Sequence, residues 1–230
     1  MAVKRKILTE NPCKELEPIK KRDNSRKFRY YNQEQLSRMF TVLQEEPLYP
    51  LIRVAVFYGL RRSELCGLRW DSIDFVSNRL TINHTVVHMQ TVVAKHKTKS
   101  KTSHRSFPPL PEIKQLLLNL QAVEAENRRL FGREYIESPY IFKWPNGKPY
   151  DPDYVNRKFV KLIRTHGLGE ITLHGLRHSC ASLLLAQGLN LKMVQEWLGH
   201  SDIQLTADTY GHLDSEVKRG IGEAIAGCLG

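Results

Sequence analysis

One β-branched segment, residues 73–107, lies between two longer regions whose apolar residues recur at helical spacing. Upstream of it, Asn32 is a suitable N-cap for a helix whose apolar face comprises Leu36, Met39, Phe40 and Leu43. The stretch "YPLIRVAVFYGL" predicts a buried helix that ends at Gly59, and "RSELCGLRW" predicts a short helix that buries Leu65 and Leu68.

The β-branched segment itself contains "RLTINHTVVHMQTVV" and "HRSFPP", separated by the lysine-rich "AKHKTKSKTS". This pattern predicts a small antiparallel three-stranded sheet with an exposed basic hairpin. Helix signals then return. Pro111 begins a predicted helix over residues 111–130, and Asp151 and Pro152 begin one over residues 152–166. Gly188 ends a helix that begins near His174, Asn190 caps a helix that ends near Trp197, and Ser201 caps a helix that runs toward Tyr210. We therefore predict an α+β fold that is mainly helical.

The N-terminal stretch differs from the rest of the chain. Residues 1–29 are rich in Lys and Arg, poor in large apolar side chains and include two prolines. Because such a composition does not bury enough apolar surface to fold alone, we expect a basic linker or arm followed by one domain over residues 30–230.

The charge balance points to a polyanionic partner. Lys and Arg outnumber Asp and Glu by 35 to 24, which gives a formal net charge of +11. Nucleic acid is the first candidate partner and an anionic membrane surface the second. No apolar run approaches the roughly 20 residues that a membrane span needs, and the N-terminus lacks the apolar core of a signal peptide, so we expect a cytoplasmic protein.

The cysteines and histidines give little support for a metal site. The four cysteines, Cys13, Cys66, Cys180 and Cys228, are scattered without CxxC spacing and are expected to be reduced and structural. His174 and His178 are four residues apart, as in a helical zinc site, but Gly175 stands where a metalloprotease motif needs Glu. We predict no metal and no cofactor.

The stretch "ITLHGLRHSC" combines His174 and Arg177 at the start of a predicted helix. Residues three apart are neighbours on one helical face, and the free N–H groups of a first turn favour an anion such as phosphate. The alternative is a solvated cap in which His174 packs against the core.

A second basic motif is "FYGLRRSELCGL", in which Arg61 directly follows the predicted helix end. A guanidinium at this junction can reach a phosphate with two parallel hydrogen bonds. Ser63 is the predicted N-cap of the next helix, and Glu64 is placed to hold Arg61 or a nearby histidine. Alternatively, paired arginines in a basic protein are ordinary surface residues.

Tyr210 lies in "GHSDIQLTADTYGHL" with poor partners for a core aromatic, since Thr206, Ala207 and Leu213 occupy the neighbouring helical positions. We interpret Tyr210 as presented for chemistry rather than packed.

Asp71 and Asp74 in "WDSIDF" are interpreted as turn residues rather than as a metal pair.

Taken together, "GLRRSEL", the lysine-rich hairpin, "LHGLRH", and "LGH" followed by Tyr210 ten residues later resemble the catalytic domain of the tyrosine recombinase, or phage integrase, family. The resemblance covers about residues 31–217 and is strongest to integrases of phages and conjugative transposons. It implies Arg61 as the first catalytic arginine, Glu64 as a supporting acid, His174 and Arg177 as the His-x-x-Arg pair, His200 as the later histidine and Tyr210 as the nucleophile.

The catalytic lysine is less well defined by the resemblance. "KSKTSHR" matches the family pattern best with Lys99 in that role, but Lys97 and Lys101 belong to the same hairpin. We expect Lys97, Lys101 and Arg105 to contact DNA.

These residue types suit phosphodiester transfer without a metal. Two guanidinium groups and a histidine stabilise the charge that develops on the phosphate oxygens, His174 accepts the phenol proton, and a lysine protonates the leaving 5′-oxygen. A covalent 3′-phosphotyrosine conserves the ester bond energy, so rejoining needs no ATP, in keeping with the absence of a GxxxxGK[ST] loop.

The resemblance also implies partners. We expect double-stranded DNA, a homotetramer acting on two DNA sites, accessory DNA-bending or excision factors, and a bacterial or phage-encoded source. Residues 1–29 resemble the linker from an N-terminal DNA-binding domain, and a helix at about residues 214–230 is a candidate for exchange between protomers, although the same helix can dock on its own domain.

The leading hypothesis is therefore a site-specific recombinase that integrates or excises a mobile element. A non-catalytic DNA-binding module of the same fold and a metal-dependent nuclease are the alternatives.

Overall fold

The computed structural model describes residues 29–89, 91–95 and 105–199. Helices α1 to α3 come first, then five strands, then helices α4 to α7. Their bounds are α1 Gln33–Leu43, α2 Tyr49–Tyr58, α3 Arg62–Cys66, β1 Ile73–Asp74, β2 Arg79–Ile82, β3 Thr85–Met89, β4 Thr91–Lys95, β5 Arg105–Phe107, α4 Pro111–Phe131, α5 Pro152–Thr165, α6 Leu173–Ala186 and α7 Leu191–Leu198. The described chain is α+β and mainly helical, as predicted.

Local capping explains where several helices begin. The Asn32 side chain accepts a hydrogen bond from the N–H of Gln35, and the Gln35 side chain accepts one from the N–H of Asn32, which makes a reciprocal capping box. Asp151 and Asn190 cap α5 and α7 with side-chain oxygens that accept backbone N–H groups of the first turn, without the reciprocal bond. The starts predicted from these three residues are confirmed.

The strands form a three-stranded sheet and a separate hairpin. In the sheet, β2 lies between β1 and β5, both antiparallel to it, with Leu80 opposite Phe107. The hairpin pairs β3 with β4, from Thr85 opposite Lys95 to Met89 opposite Thr91. The predicted antiparallel sheet is confirmed, but "RLTINHTVVHMQTVV" supplies three strands divided between the two units.

The break between β2 and β3 has a structural cause. His84, directly before β3, is buried, and its Nε2 is hydrogen bonded to the Tyr140 hydroxyl at 3.1 Å. Strand β3 then packs against α3, where a Cβ at Gly67 would collide with the backbone of residues 84 and 85. The chain therefore leaves the three-stranded sheet to pack on α3 before it returns at β5.

The core is organised around α2, which is apolar on most sides and packs against α6. Its residues Leu51, Ile52, Val54, Ala55 and Tyr58 are all almost fully buried. A smaller apolar cluster between α6 and α7 contains Cys180, Ala181, Leu185, Val194 and Leu198. The ends of α2, α6 and α7 are thus fixed relative to one another close to the motifs singled out in the sequence.

Candidate active site

Arg61 lies at a sharp junction between α2 and α3. Helix α2 ends at Gly59, which adopts the left-handed conformation with φ +58°, as predicted for a helix-ending glycine. Arg61 is the N-cap of α3, so the prediction that Ser63 caps this helix is wrong. The physical reason is that the Glu64 carboxylate accepts the N–H of Arg61 at 2.8 Å, which draws the helix start two residues toward the N-terminus.

Glu64 holds Arg61, as predicted, and also holds Arg105. Its carboxylate accepts from Nη1 of Arg61 at 3.0 Å and from Nη1 and Nη2 of Arg105 at 3.1 and 3.0 Å. Burial by itself raises the pKa of Glu64, but the hydrogen bonds and charge of Arg105, together with Arg61, outweigh it and hold that pKa below its ordinary value. Glu64 is therefore an ionised carboxylate inside the protein.

Arg105 does not lie where the sequence suggested. The sequence predicts that Arg105 contacts DNA, but its side chain is only 8% exposed and its guanidinium is paired with Glu64. The guanidinium also stacks over the Phe107 ring, 5.5 Å from the centroid. Because the pairing joins residues 41 positions apart, no local pattern in the sequence signals it.

Arg177 is the most deeply buried charged residue of the candidate site, at 1% exposure. Its Nη1 donates to the carbonyl oxygen of Gly59, and its Nη2 donates to that of Leu198 at 2.7 Å. The guanidinium thus joins the ends of α2 and α7. Arg177 is the fifth residue of α6, so the prediction that it lies in the first turn is wrong, although His174 does lie there.

The positive charges of Arg177 and Arg61 both act on the protonation of His174. Loss of solvation, then the positive charge of Arg177, then that of Arg61 lower the pKa of His174. The imidazole is consequently neutral at neutral pH and able to accept a proton. Its ring meets that of His178 edge to face, with the centroids 4.8 Å apart and the planes at 89°.

From the sequence, His178 is a candidate only as a zinc ligand. It is 7% exposed, and burial, followed by the charges of His174 and Arg177, lowers its pKa to about 4. Within the described part of the chain, no group of three or more His, Cys, Asp or Glu side chains is placed to hold a metal ion.

Asp71 and Asp74 have the structural roles predicted for them. Asp74 accepts the N–H groups of Val76 and Ser77, each at 2.9 Å, and thereby closes the β1–β2 turn. Asp71 pairs with Arg69.

The described cysteines, Cys66 and Cys180, are free buried thiols, and burial raises the pKa of each to about 12.

Five of the predicted site residues, Lys97, Lys99, Lys101, His200 and Tyr210, lie outside the described residues. The same holds for the predicted arm, the helix capped by Ser201 and the helix at residues 214–230. Gly199, however, is described, and its carbonyl oxygen accepts from Nη2 of Arg61 at 3.2 Å. The residue before His200 therefore contacts Arg61 directly.

None of the helices in residues 29–89, 91–95 and 105–199 has the length and apolar content that a membrane crossing requires.

Comparison with known proteins gives a consistent result. Residues 29–216 match the profile of the Phage integrase family. The chain is 28% identical to the ICEBs1 integrase of Bacillus subtilis (strain 168) over 219 residues, which is 92% of this chain and 57% of that protein. It is also 28% identical to a tyrosine recombinase XerC-like protein of Caldanaerobacter subterraneus over 80% of this chain and 50% of the relative. The chain thus spans about half the length of the curated relatives it matches.

Solved structures agree on the fold. The Tn1549 transposon integrase in complex with transposon right end DNA superposes with a TM-score of 0.71 at 22% identity, over 86% of this chain and 66% of that one. The XerA recombinase superposes with a TM-score of 0.65 at 19% identity, over 84% and 63%. The resemblance inferred from the ordered motifs is confirmed, and the chain belongs to the phage integrase family of tyrosine recombinases.

Proposed function

We propose that this chain is the catalytic part of a site-specific DNA recombinase that cleaves and rejoins strands through a covalent 3′-phosphotyrosine. The observation that carries the proposal is the pair of guanidinium groups, Arg61 and Arg177, which both donate to backbone carbonyls at the end of α7, with neutral His174 beside them. Fixed cations around one phosphate are what phosphoryl transfer needs most.

The two arginines contribute differently. The side chain of Arg61 is 36% exposed and is able to meet a phosphate oxygen from solvent. Arg177 is almost wholly buried, and its bonds to Gly59 and Leu198 fix its positive charge behind the site. Because a charge in a low-dielectric surrounding acts more strongly than one in water, the buried guanidinium stabilises negative charge that develops nearby.

The proposed reaction balances without a cofactor. The phenolic oxygen of Tyr210 attacks phosphorus, the bond from phosphorus to the 5′-oxygen breaks, and a 3′-phosphotyrosine and a 5′-hydroxyl result. His174 accepts the phenol proton, Lys99 donates a proton to the 5′-oxygen, and His200 donates a hydrogen bond to a non-bridging oxygen. Attack by a 5′-hydroxyl then reverses these steps and releases Tyr210.

The partners follow from the same proposal. Double-stranded DNA is the substrate, and the net charge of +11 suits a polyanion. The Tn1549 integrase was solved with DNA and a lambda integrase tetramer with a Holliday junction, which supports a homotetramer on two duplexes here. Integration or excision of a mobile element, assisted by accessory factors, is the proposed biological role.

The test is covalent trapping on a nicked duplex that carries the end sequence of the encoding element. The nick lets the short released strand diffuse away, so the phosphotyrosine accumulates and migrates as a slower band in denaturing gels. Tyr210→Phe should abolish the band. Tyr49→Phe is the matched control, since it removes a phenol at the opposite end of α2 from Arg61 and should leave the band unchanged.

Two results would contradict the proposal. An adduct that survives in Tyr210→Phe would show another nucleophile. Salt-sensitive DNA binding by the unchanged chain with no adduct would instead indicate a non-catalytic module.

A further inference from the structure

Glu64 is shared between two guanidinium groups that have different surroundings. The side chain of Arg61 is 36% exposed, and its guanidinium meets the carboxylate with one nitrogen, Nη1, at 3.0 Å. Arg105 is 8% exposed and meets it with two nitrogens. The buried arginine therefore makes the fuller ion pair, and the accessible arginine makes the lesser one.

This division has an electrostatic consequence. Arg61, Glu64 and Arg105 together carry a net charge of +1. If Arg105 were neutral, Glu64 would have Arg61 as its main counter-charge, and the pair would carry no net charge. A carboxylate with 2% exposure must be compensated, since an unpaired buried charge is strongly unfavourable. Glu64 would then draw Arg61 into the full pairing that Arg105 now makes.

We propose that Arg105 is a positioning residue for the recombination reaction: by pairing with Glu64 it leaves the charge and the orientation of Arg61 available to the DNA phosphate. This inference rests on the proposed function. It replaces the expectation that Arg105 contacts DNA, and it concerns a residue that acts through Glu64 and touches no substrate.

A second contact supports the proposed orientation. Nη2 of Arg61, the nitrogen that does not face Glu64, donates to the carbonyl oxygen of Gly199 at 3.2 Å. Arg61 is thus held from two sides by single bonds, and a bidentate pair with Glu64 would break the bond to Gly199. The position of the residue that precedes His200 therefore depends on Arg105 as well.

Arg105 also directly follows the lysine-rich segment of the sequence. This segment, residues 96–104, contains Lys97, Lys99 and Lys101, and Arg105 begins β5 opposite Ile82 of β2. The ion pair with Glu64 consequently attaches the end of this segment to α3, beside Arg61. An ordinary structural ion pair would do the same, so the test must separate charge from attachment.

A double variant that restores the net charge separates the effect of charge from the effect of attachment. Arg105→Gln lowers the net charge of the three residues to zero, and Arg105→Gln combined with Glu64→Gln restores it to +1 while the Arg105 ion pair is still absent. We expect Arg105→Gln to slow single-turnover adduct formation by about tenfold or more, and the double variant to recover at least about threefold, which is a coupling of ordinary size for residues in contact. Arg105→Lys, which keeps the charge but not the two parallel bonds, should lie between wild type and Arg105→Gln.

Lys143→Gln is the matched control. Lys143 is 6% exposed and donates to the 12% exposed Glu124 at 2.7 Å, so this change also removes a cation from a largely shielded carboxylate, but in a network that contains no predicted site residue. Its adduct rate should stay within about twofold of wild type. Urea unfolding of every variant shows how much of each change reflects stability alone.

DNA affinity and rate together decide the outcome. Because Arg105→Gln is expected to draw Arg61 away from the phosphate, it should weaken DNA binding and lower the salt slope by no more than the loss of this one contact, and the double variant should restore both. An affinity and a salt slope that stay low in the double variant would show a direct phosphate contact by Arg105 and overturn the inference, as would a slow double variant with no recovery. Absence of any adduct from the unchanged chain would overturn the proposed function itself, whereas a normal wild-type adduct with an unaffected Arg105→Gln rate would overturn only this inference.

Discussion

Gly59→Ala tests whether the junction that supports both arginines depends on a missing side chain. Gly59 has φ +58°, and a Cβ there would collide with the Leu198 side chain and lie 3.3 Å from Sγ of Cys180. The Gly59 carbonyl is also an acceptor for Arg177. The substitution therefore combines backbone strain with overpacking between α2, α6 and α7.

Gly167 allows these two effects to be separated. It has φ +59°, and a Cβ there would meet nothing within 4 Å. Both substitutions incur a left-handed backbone penalty of about 1–2 kcal/mol. Both also lower the entropy of the unfolded chain to the same degree, which cancels in the comparison. Gly59→Ala alone adds overpacking, which typically costs about 1–3 kcal/mol.

We expect Gly59→Ala to lower the free energy of unfolding by about 2–5 kcal/mol and Gly167→Ala by about 1–2 kcal/mol. Urea unfolding followed by circular dichroism measures both, provided that the m-values agree with that of the wild type. The adduct rate of Gly59→Ala should fall in addition, since the displaced carbonyl orients Arg177. Equal losses of unfolding free energy in the two variants would refute the reasoning, because they would mean that the α2–α6–α7 junction has room for a methyl group.

Two further predictions concern protonation. Burial lowers the pKa of His178 from 6.5 to about 4. Between these pH values the unfolded chain therefore binds a proton more readily than the folded chain does. The free energy of unfolding consequently decreases as the pH falls from about 6.5 to 4, by up to about 3 kcal/mol. Near pH 5, unfolding of the His178→Gln variant should take up close to one proton fewer than unfolding of the wild type. Urea unfolding across this pH range measures the difference. If the free energy of unfolding changes with pH equally in variant and wild type, the assignment is contradicted. For the leaving group, Lys99→Ala should lose adduct formation on an ordinary nicked duplex and regain it when the 5′-bridging oxygen is replaced by sulfur, which leaves without a proton; if Lys97→Ala or Lys101→Ala behaves in this way instead, the role belongs to that lysine.

Capping signals and apolar periodicity predicted the helices well because both are local. Asn32, Asp151 and Asn190 each cap a helix through a side-chain bond to a backbone N–H two or three residues further on, so a short stretch of chain contains all the required information. Gly59 ends α2 for an equally local reason, the left-handed conformation that glycine adopts easily.

The errors arose where one contact outweighs the preference of a single residue. Ser63 has the side chain of an N-cap, but Glu64 bonds to the Arg61 N–H and moves the helix start. A continuous β-branched run became separate strands because His84 is buried against Tyr140 and β3 packs on α3. Glu64 is only three residues from Arg61, so that cap was within reach of the sequence, whereas Tyr140 is 56 residues from His84 and no sequence spacing reveals it.

The ordered motifs, the net charge and the helix signals in the sequence were sufficient to identify the fold class and the family, and they predict a set of residues for the chemistry. The tertiary structure alone decided how the described members of that set are held: Arg177 between the carbonyls of Gly59 and Leu198, and Glu64 between Arg61 and Arg105. The physical reason is that a buried charge is stable only next to its counter-charge or its hydrogen-bond acceptors, and for these arginines most of those partners lie far away along the chain.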